Sequence, residues 1–331
     1  MADSLPSFQR WAGARPNGWS VIRRNRIAMV SLIFLAVVAL VSIILPICLP
    51  AELKQTGTDS FLAPLQMSKD QKVFHLLGTD LNGQDLFYRL LTGAQVSLGV
   101  GLIGAVVSLL IGGIYGMISG YVGGRTDAFM MRVVDMLNAI PSLLFVMLFI
   151  SAFDSHFKTA LDGFRLWAQT KHWALGEHAA LAMMPYSRIV ILILSLGLVE
   201  WLTMARIVRG QVLVLKELAF VTASRAMGQK GWAILWRHLW PNLSTIVLTY
   251  LTLTIPAVIR NESFLSFLGL GIEDPAASWG SLLKDGAQVI NPLDSKWWLL
   301  VFPGTLMSLS LLALNFLGDG LRDAFDPRSS D

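Results

Sequence analysis

One carboxylate interrupts an otherwise apolar run: Glu200, within Ile189–Ala205, followed closely by Arg206 and Arg209. Ionisable groups at membrane depth are costly and default to functional candidates. Glu200 could carry a proton or meet a charged solute, or it could pair with one of the two arginines near an aqueous boundary. The ion pair is the plainer reading and is preferred, because an ion-coupled carrier gathers such groups at mid-membrane, and the other five apolar runs supply none. His172 and His178 with Glu177 are metal-ligand types, but a spacing of six places the two histidines on different faces of a helix, as ordinary surface residues. The chain has no G-x-x-x-x-G-K-S/T, no H-E-x-x-H and no G-x-S-x-G, and Cys48 is its single cysteine. Without a phosphate-cradling loop, a zinc helix or a nucleophile elbow, no catalytic residue, metal site or bound cofactor is expected.

The other informative stretch is suited to docking. Glu217–Gly228 reads as a short helix closed by glycine, and Trp232–Trp240 as a second one ended by Pro241. Two short helices held between apolar runs form a knob, not a domain. Small residues on the first (Ala223, Ser224, Ala226) allow it to seat deeply in a partner's groove. Trp232, Trp236 and Trp240 suit a helix lying on lipid equally well. The residues leave both readings open.

What must position these groups is a membrane bundle. Of 331 residues only 15% are charged, 54% are apolar, and the mean hydropathy is +0.59. A soluble domain carries about 25% charge, so the composition argues against a soluble enzyme, as it does against a disordered chain or a disulfide scaffold. The net charge of +4 is too small and dispersed for nucleic acid binding. Apolar runs at Ile27–Leu49, between Arg89 and Arg125, and at Met136–Phe153, Ile189–Ala205, Leu239–Ile259 and Trp297–Gly318 are each long enough to cross a bilayer. Backbone groups in lipid must be satisfied within the segment, so each span is a helix. The expected fold class is an all-α polytopic membrane protein with six transmembrane helices. The first run is too long for a signal-peptide core and reads as a retained anchor. Placing both termini in the cytosol leaves fifteen basic residues inside against eleven outside, with Arg23, Arg24 and Arg26 flanking the first span.

The organisation that follows is a cytosolic segment 1–26, an anchor helix 27–49, an outer loop 50–92 and a five-helix core 93–320. The core holds an outer insertion at 154–188 and an inner connection at 206–242, and a cytosolic tail 321–331 ends the chain. Gly104, Ser108, Gly112, Gly116 and Gly120 recur every four residues and predict a seam of close helix packing. Pro256 and Pro303-Gly304 are positioned to bend their helices.

Val221–Pro241 resembles the coupling loop of type I ABC importer permeases, E-A-A-x3-G-x9-I-x-L-P. Thr222-Ala223-Ser224 stands at the E-A-A position, Gly228 at the glycine and Pro241 at the proline, with His238 and Trp240 at the aliphatic positions and no glutamate. Leu77–Asp85 resembles the L-G-T-D-x-x-G-R-D outer motif of the oligopeptide/dipeptide permease C-type branch, Gln84 replacing arginine. Arg132-Val133-Val134-Asp135 with Ile140-Pro141-Ser142, Trp201 with Ala205-Arg206 and Arg209-Gly210-Gln211, and Glu262–Gly271 followed by Ser278-Trp279-Gly280 are similar to further segments of that branch, in the same order.

The resemblance implies a permease subunit, itself without catalysis, forming half of a peptide pathway in a bacterial inner membrane. Its implied partners are a second, usually non-identical permease, two ABC ATPase subunits that use ATP and Mg, an extracytoplasmic solute-binding protein and the lipid bilayer. Phe220, Thr222, Ala223, Ser224, Arg225, Gly228 and Pro241 would form the ATPase-coupling loop, and Asp80, Asp85 and Glu262 belong to the outer motifs. Carriage of nickel or another small solute by the same machinery is the alternative, and ion-coupled secondary transport a more distant one.

Overall fold

The computed structural model describes residues 23, 25–54, 57, 59–68, 73–274, 276–291 and 294–325. Most of the expected N-terminal segment (1–22 and 24) and the end of the tail (326–331) lie outside the described residues.

The apolar runs fold as long helices. Helix α1 (Arg26–Cys48) starts at Asn25, whose side chain accepts from the N–H groups of Ile27 and Ala28 at 3.1 and 3.2 Å. An antiparallel ribbon of two short strands, β1 (Gln66–Met67) and β2 (Phe74–His75), precedes α2 (Leu86–Val122). Then come α3 (Gly124–Asn138), α4 (Ser142–Thr170), α5 (Ala174–Met183) and α6 (Ser187–Leu215). The remaining helices are α7 (Ala219–Ala226), α8 (Gly231–Ile234), α9 (Trp240–Phe267), α10 (Trp279–Val289) and α11 (Trp298–Phe325). Among the described residues five helices are long and apolar enough to cross a membrane, and the bent segment that includes α9, taken as one span, makes a sixth.

Several boundaries differ from those read in the sequence: α2 already begins at Leu86, within the expected outer loop 50–92, and α6 runs on to Leu215, into the expected inner connection 206–242. The run Met136–Phe153 is broken at Pro141: residues up to Asn138 end α3, and the spanning helix starts at Ser142. Proline disfavours helical backbone in the residue before it, which places the break there. Pro241 does not end a helix. A π-helical turn, Leu235–Leu239, runs from α8 directly into α9, with Pro241 in the first turn, where a missing N–H costs nothing. The axis bends by 59° between Gly231–Ser244 and Ile246–Phe267, beyond the π-turn. Helix α9 also continues eight residues past Ile259, carrying Arg260 and Glu262 into the spanning helix. The insertion at 154–188 is the second half of α4, with α5 folded back beside it.

The core is organised around α2 and α6, the most extensive helix pair. The small-residue face of α2 is the seam: a Cβ on Gly112 would lie 2.6 Å from the Trp201 carbonyl oxygen, and one on Gly120 would lie 2.9 Å from that of Arg209. Only residues without a side chain let two backbones approach so closely. Val258 and Ile259 of α9 pack on Gly104 and Gly101 of the same helix. The outward faces carry exposed Leu, Ile, Val and Phe, as expected of a lipid-facing surface.

Alternating helix direction sorts the connections to two ends. Residues 73–85, the start of α6 and residues 268–274 meet at one, where Arg89 reaches Asp274 and Asp285 and Arg188 pairs with Glu273. This is the cap end. The stretches 123–141 and 216–239 meet at the other, the knob end, where Lys216 Nζ donates to the Gly120 carbonyl at 2.9 Å.

Candidate functional site: knob, cap and intramembrane polar group

At the knob end, Val221 and Ser224 turn inward, three residues apart on α7, and Val221 joins a cluster with Val208, Val212, Ile234, Leu235 and Leu239. Ser224 is therefore not on the exposed face of α7; its hydroxyl donates to the Phe220 carbonyl at 2.8 Å. The outward face presents Phe220, Thr222, Ala223, Arg225 and, beyond the helix, Met227 and Gly228. Thr222 donates back to its own helix, to the Leu218 carbonyl at 3.3 Å. The helix closes as the spacing predicted. Gly228 takes φ +78°, Gly228 N–H donates to the Arg225 carbonyl at 2.9 Å, and Gln229 N–H to that of Ser224 at 3.2 Å. This is the Schellman arrangement, which needs a left-handed residue. Trp232, Trp236 and Trp240 form a column of neighbouring rings 5.5 and 5.7 Å apart, beside α7 and not on it. The two readings of the knob thus fall on different surfaces, small residues on one and tryptophans on the other.

The knob is clasped to the bundle. Arg225 lies over the Tyr121 ring, 5.0 Å from its centroid, on the last turn of α2. His238 and Gln229 share a 3.0 Å hydrogen bond across the turn. Beneath them, Arg209 donates twice to Asp127, both at 2.6 Å, and Ser119 donates to the same carboxylate at 2.6 Å. The Arg209 hydrogen bond holds the Asp127 carboxyl below the usual carboxylate range, against the burial that would raise it.

The expected pairing of Glu200 with Arg206 or Arg209 does not occur. Arg206 reaches Asp135 at 3.2 Å, and Glu200 accepts from Asn261 Nδ2 on α9 at 3.1 Å. The cause is helical phase: six and nine residues at 3.6 per turn put the arginines roughly 120° and 180° around α6 from Glu200. Glu200 also lies near the middle of α6, not at its boundary.

At the cap end the outer-motif carboxylates are buried and fully occupied. Asp80 accepts from the N–H groups of Asn82 and Gln84, each at 2.8 Å, and pairs with Arg89. Asp85 caps α2 by accepting from Tyr88 N–H at 2.9 Å and contacts His75 Nδ1 at 2.8 Å. Glu262, wholly buried, accepts from Ser97 at 3.2 Å, Ser263 at 3.2 Å and Ser266 at 2.7 Å. Ser97 in turn accepts from Trp279 N–H at 3.1 Å, which ties α2, α9 and the start of α10 together. Burial pushes the Asp285 carboxyl up, opposed by Arg89. Arg89, Asp127, Asp274, Asp285 and Asn261 escaped the sequence reading. Apart from Asp80, nine residues from Arg89, and Ser119, eight from Asp127, their partners lie 61 to 196 residues away, and the only local signal was that each sits at or beyond the end of an apolar run.

Comparison with known proteins agrees with this architecture. Residues 112–331 match the family described as binding-protein-dependent transport system inner membrane component, and residues 17–64 match the N-terminal TM domain of oligopeptide transport permease C. The chain is 40% identical over 314 residues to the oligopeptide transport system permease protein OppC of Escherichia coli, covering 94% of this chain and 91% of that protein. It is 38% identical over 313 residues to the dipeptide transport system permease protein DppC of Bacillus subtilis, covering 94% and 85%. An extended match of this identity, on a bundle with the expected spans and seam, means that the chain belongs to the family of binding-protein-dependent transport system inner membrane components.

Proposed function

We propose that this chain is one half of the translocation pathway of an ATP-driven peptide importer, with its knob as the surface on which a separate ATPase acts. The observation that carries the reading is the two-sided construction of 219–239. One side is locked to α2 and α6 through Val221, Tyr121 and Lys216, and the other is an exposed face of small, apolar and basic residues. A rigid element with a free face can pass on a partner's movement.

In this reading the knob end and both termini are cytosolic in a bacterial inner membrane, and the cap end faces the extracytoplasmic solute-binding protein. A second permease completes the path, and two ATPase subunits bind ATP and Mg. ATP binds one arrangement of the ATPase pair better than the other, and that difference in affinity drives the bundle between inward- and outward-facing states. This chain makes and breaks no covalent bond. Peptides are preferred to nickel or another small solute because relatives matched over more than nine-tenths of the chain are named for oligopeptide and dipeptide transport.

The test is reconstitution of the complete complex in proteoliposomes, following uptake of labelled di- and pentapeptides. Uptake should require ATP, and the purified chain alone should hydrolyse none. Vanadate-sensitive hydrolysis by the isolated chain, or peptide uptake driven by a proton gradient without ATP, would overturn the reading.

A further inference from the structure

An exposed arginine stands at an unusual depth. Arg260 follows Val258 and Ile259, which pack on Gly104 and Gly101, so it lies within the bundle on the cap side of the middle of α2. It is exposed, and among the described residues no carboxylate lies within ion-pair distance of it. A guanidinium inside a spanning helix does not face hydrocarbon; it turns to a water-filled route or to another subunit. Its neighbour Asn261 donates to Glu200, on which Arg260 also acts electrostatically.

A further observation marks this face as a lining. Glu200 stands on a partly exposed stripe of α6 that continues through Thr203, Ile207 and Gly210, in which only Ile207 is a large apolar residue.

We infer that Arg260, Asn261 and Glu200 form a polar station in the pathway that receives the charged ends of a peptide in transit. Arg260 takes the terminal carboxylate in a forked pair of hydrogen bonds, and Glu200, held in place by Asn261, takes the terminal ammonium. The inference rests on the peptide-importer reading above and adds to it the groups that the pathway offers its cargo. A site of this kind is selective for free peptide termini but holds them weakly, since the cargo must leave.

The experiment uses the complete complex in proteoliposomes with trialanine and trialanine amide as cargo. Arg260→Gln should lower ATP-driven uptake of trialanine at least about tenfold, the worth of one charge-assisted hydrogen bond, and leave uptake of the amide at its parental value. Equal loss of both peptides, or loss of neither, would overturn the site. So would loss of the second permease on purification of Arg260→Gln, which would make Arg260 a subunit contact. A second measurement does not depend on the amide being carried. In a Cys48→Ser background with Arg260 intact, Thr203→Cys, exposed one turn from Glu200 on α6, should react with a membrane-impermeant thiol reagent, and trialanine should slow that reaction. An unreactive cysteine, or one that trialanine does not protect, overturns the site. If the parent complex carries neither peptide, it is the importer reading that falls, and the station falls with it.

Discussion

The outer-motif residues at the cap and the outward residues of the knob hold their charges differently. At the cap, Asp80, Asp85, Arg89 and Glu262 are all at most 4% exposed, and each is held by partners from elsewhere in the chain. At the knob, Arg225, Lys230 and Arg237 are exposed, and among the described residues none has a carboxylate within ion-pair distance. A buried ion must find its partners within the fold, because nothing else will compensate its lost hydration. An exposed one loses nothing by waiting. Among these residues the cap carboxylates and Arg89 are satisfied within the chain, whereas the knob leaves Lys230 and Arg237 exposed without a carboxylate partner, which fits the proposal that another protein docks there.

The largest break in that contrast should come at Gly228. Gly228→Pro forbids φ +78° and removes the N–H that donates to Arg225, so α7 loses its stop. Peptide uptake should vanish while the chain still inserts, as protease accessibility of membrane vesicles would show. Arg225→Glu should likewise abolish uptake and leave insertion intact. At the cap the loss falls on stability instead. Arg89→Ala leaves Asp80 buried without its guanidinium, and unfolding in detergent should be easier by about 3–5 kcal/mol.

A smaller effect belongs to the clasp beneath the knob. Asp127→Asn should cost about 1–2 kcal/mol at neutral pH, since the pair is bidentate but Arg209 is partly exposed. Because Arg209 lowers the Asp127 pKa in the fold, the stabilisation is complete above the unfolded carboxylate value of about 3.9 and fades as pH falls below it. The parent should therefore lose more stability than Asp127→Asn between pH 7 and pH 3. The smallest effect sharpens the comparison: Met227→Ser, on the open face, should shift stability by less than about 0.5 kcal/mol while weakening retention of the ATPase on purification.

Much of the bundle was legible in the chain, because a bilayer imposes length and composition on each span. The seam was legible too, since glycine and serine every four residues on an apolar helix have few other uses. What stayed hidden depended on distance or on phase. Nothing near Asp127 announces Arg209, 82 residues away, and proximity in sequence suggested partners for Glu200 that the turn of α6 points elsewhere. Pro241 misled for a related reason: proline marks a helix start as readily as a stop, and only the continuing turn through Leu235–Leu239 decides which. The outer-motif residues were found, but their work as caps and buried hubs was not, because a motif records which residues recur and not what they touch.

Helix α2 has one more consequence. Its 37 residues, with no proline among them, make a rod about 55 Å long, nearly twice the thickness of a bilayer core. One tip sits under Arg225, and the other is fixed by Asp85 and Arg89. Under the proposed coupling, a push delivered at one tip meets no proline hinge along the way and would tilt the shaft, shifting the opposite tip in the same stroke.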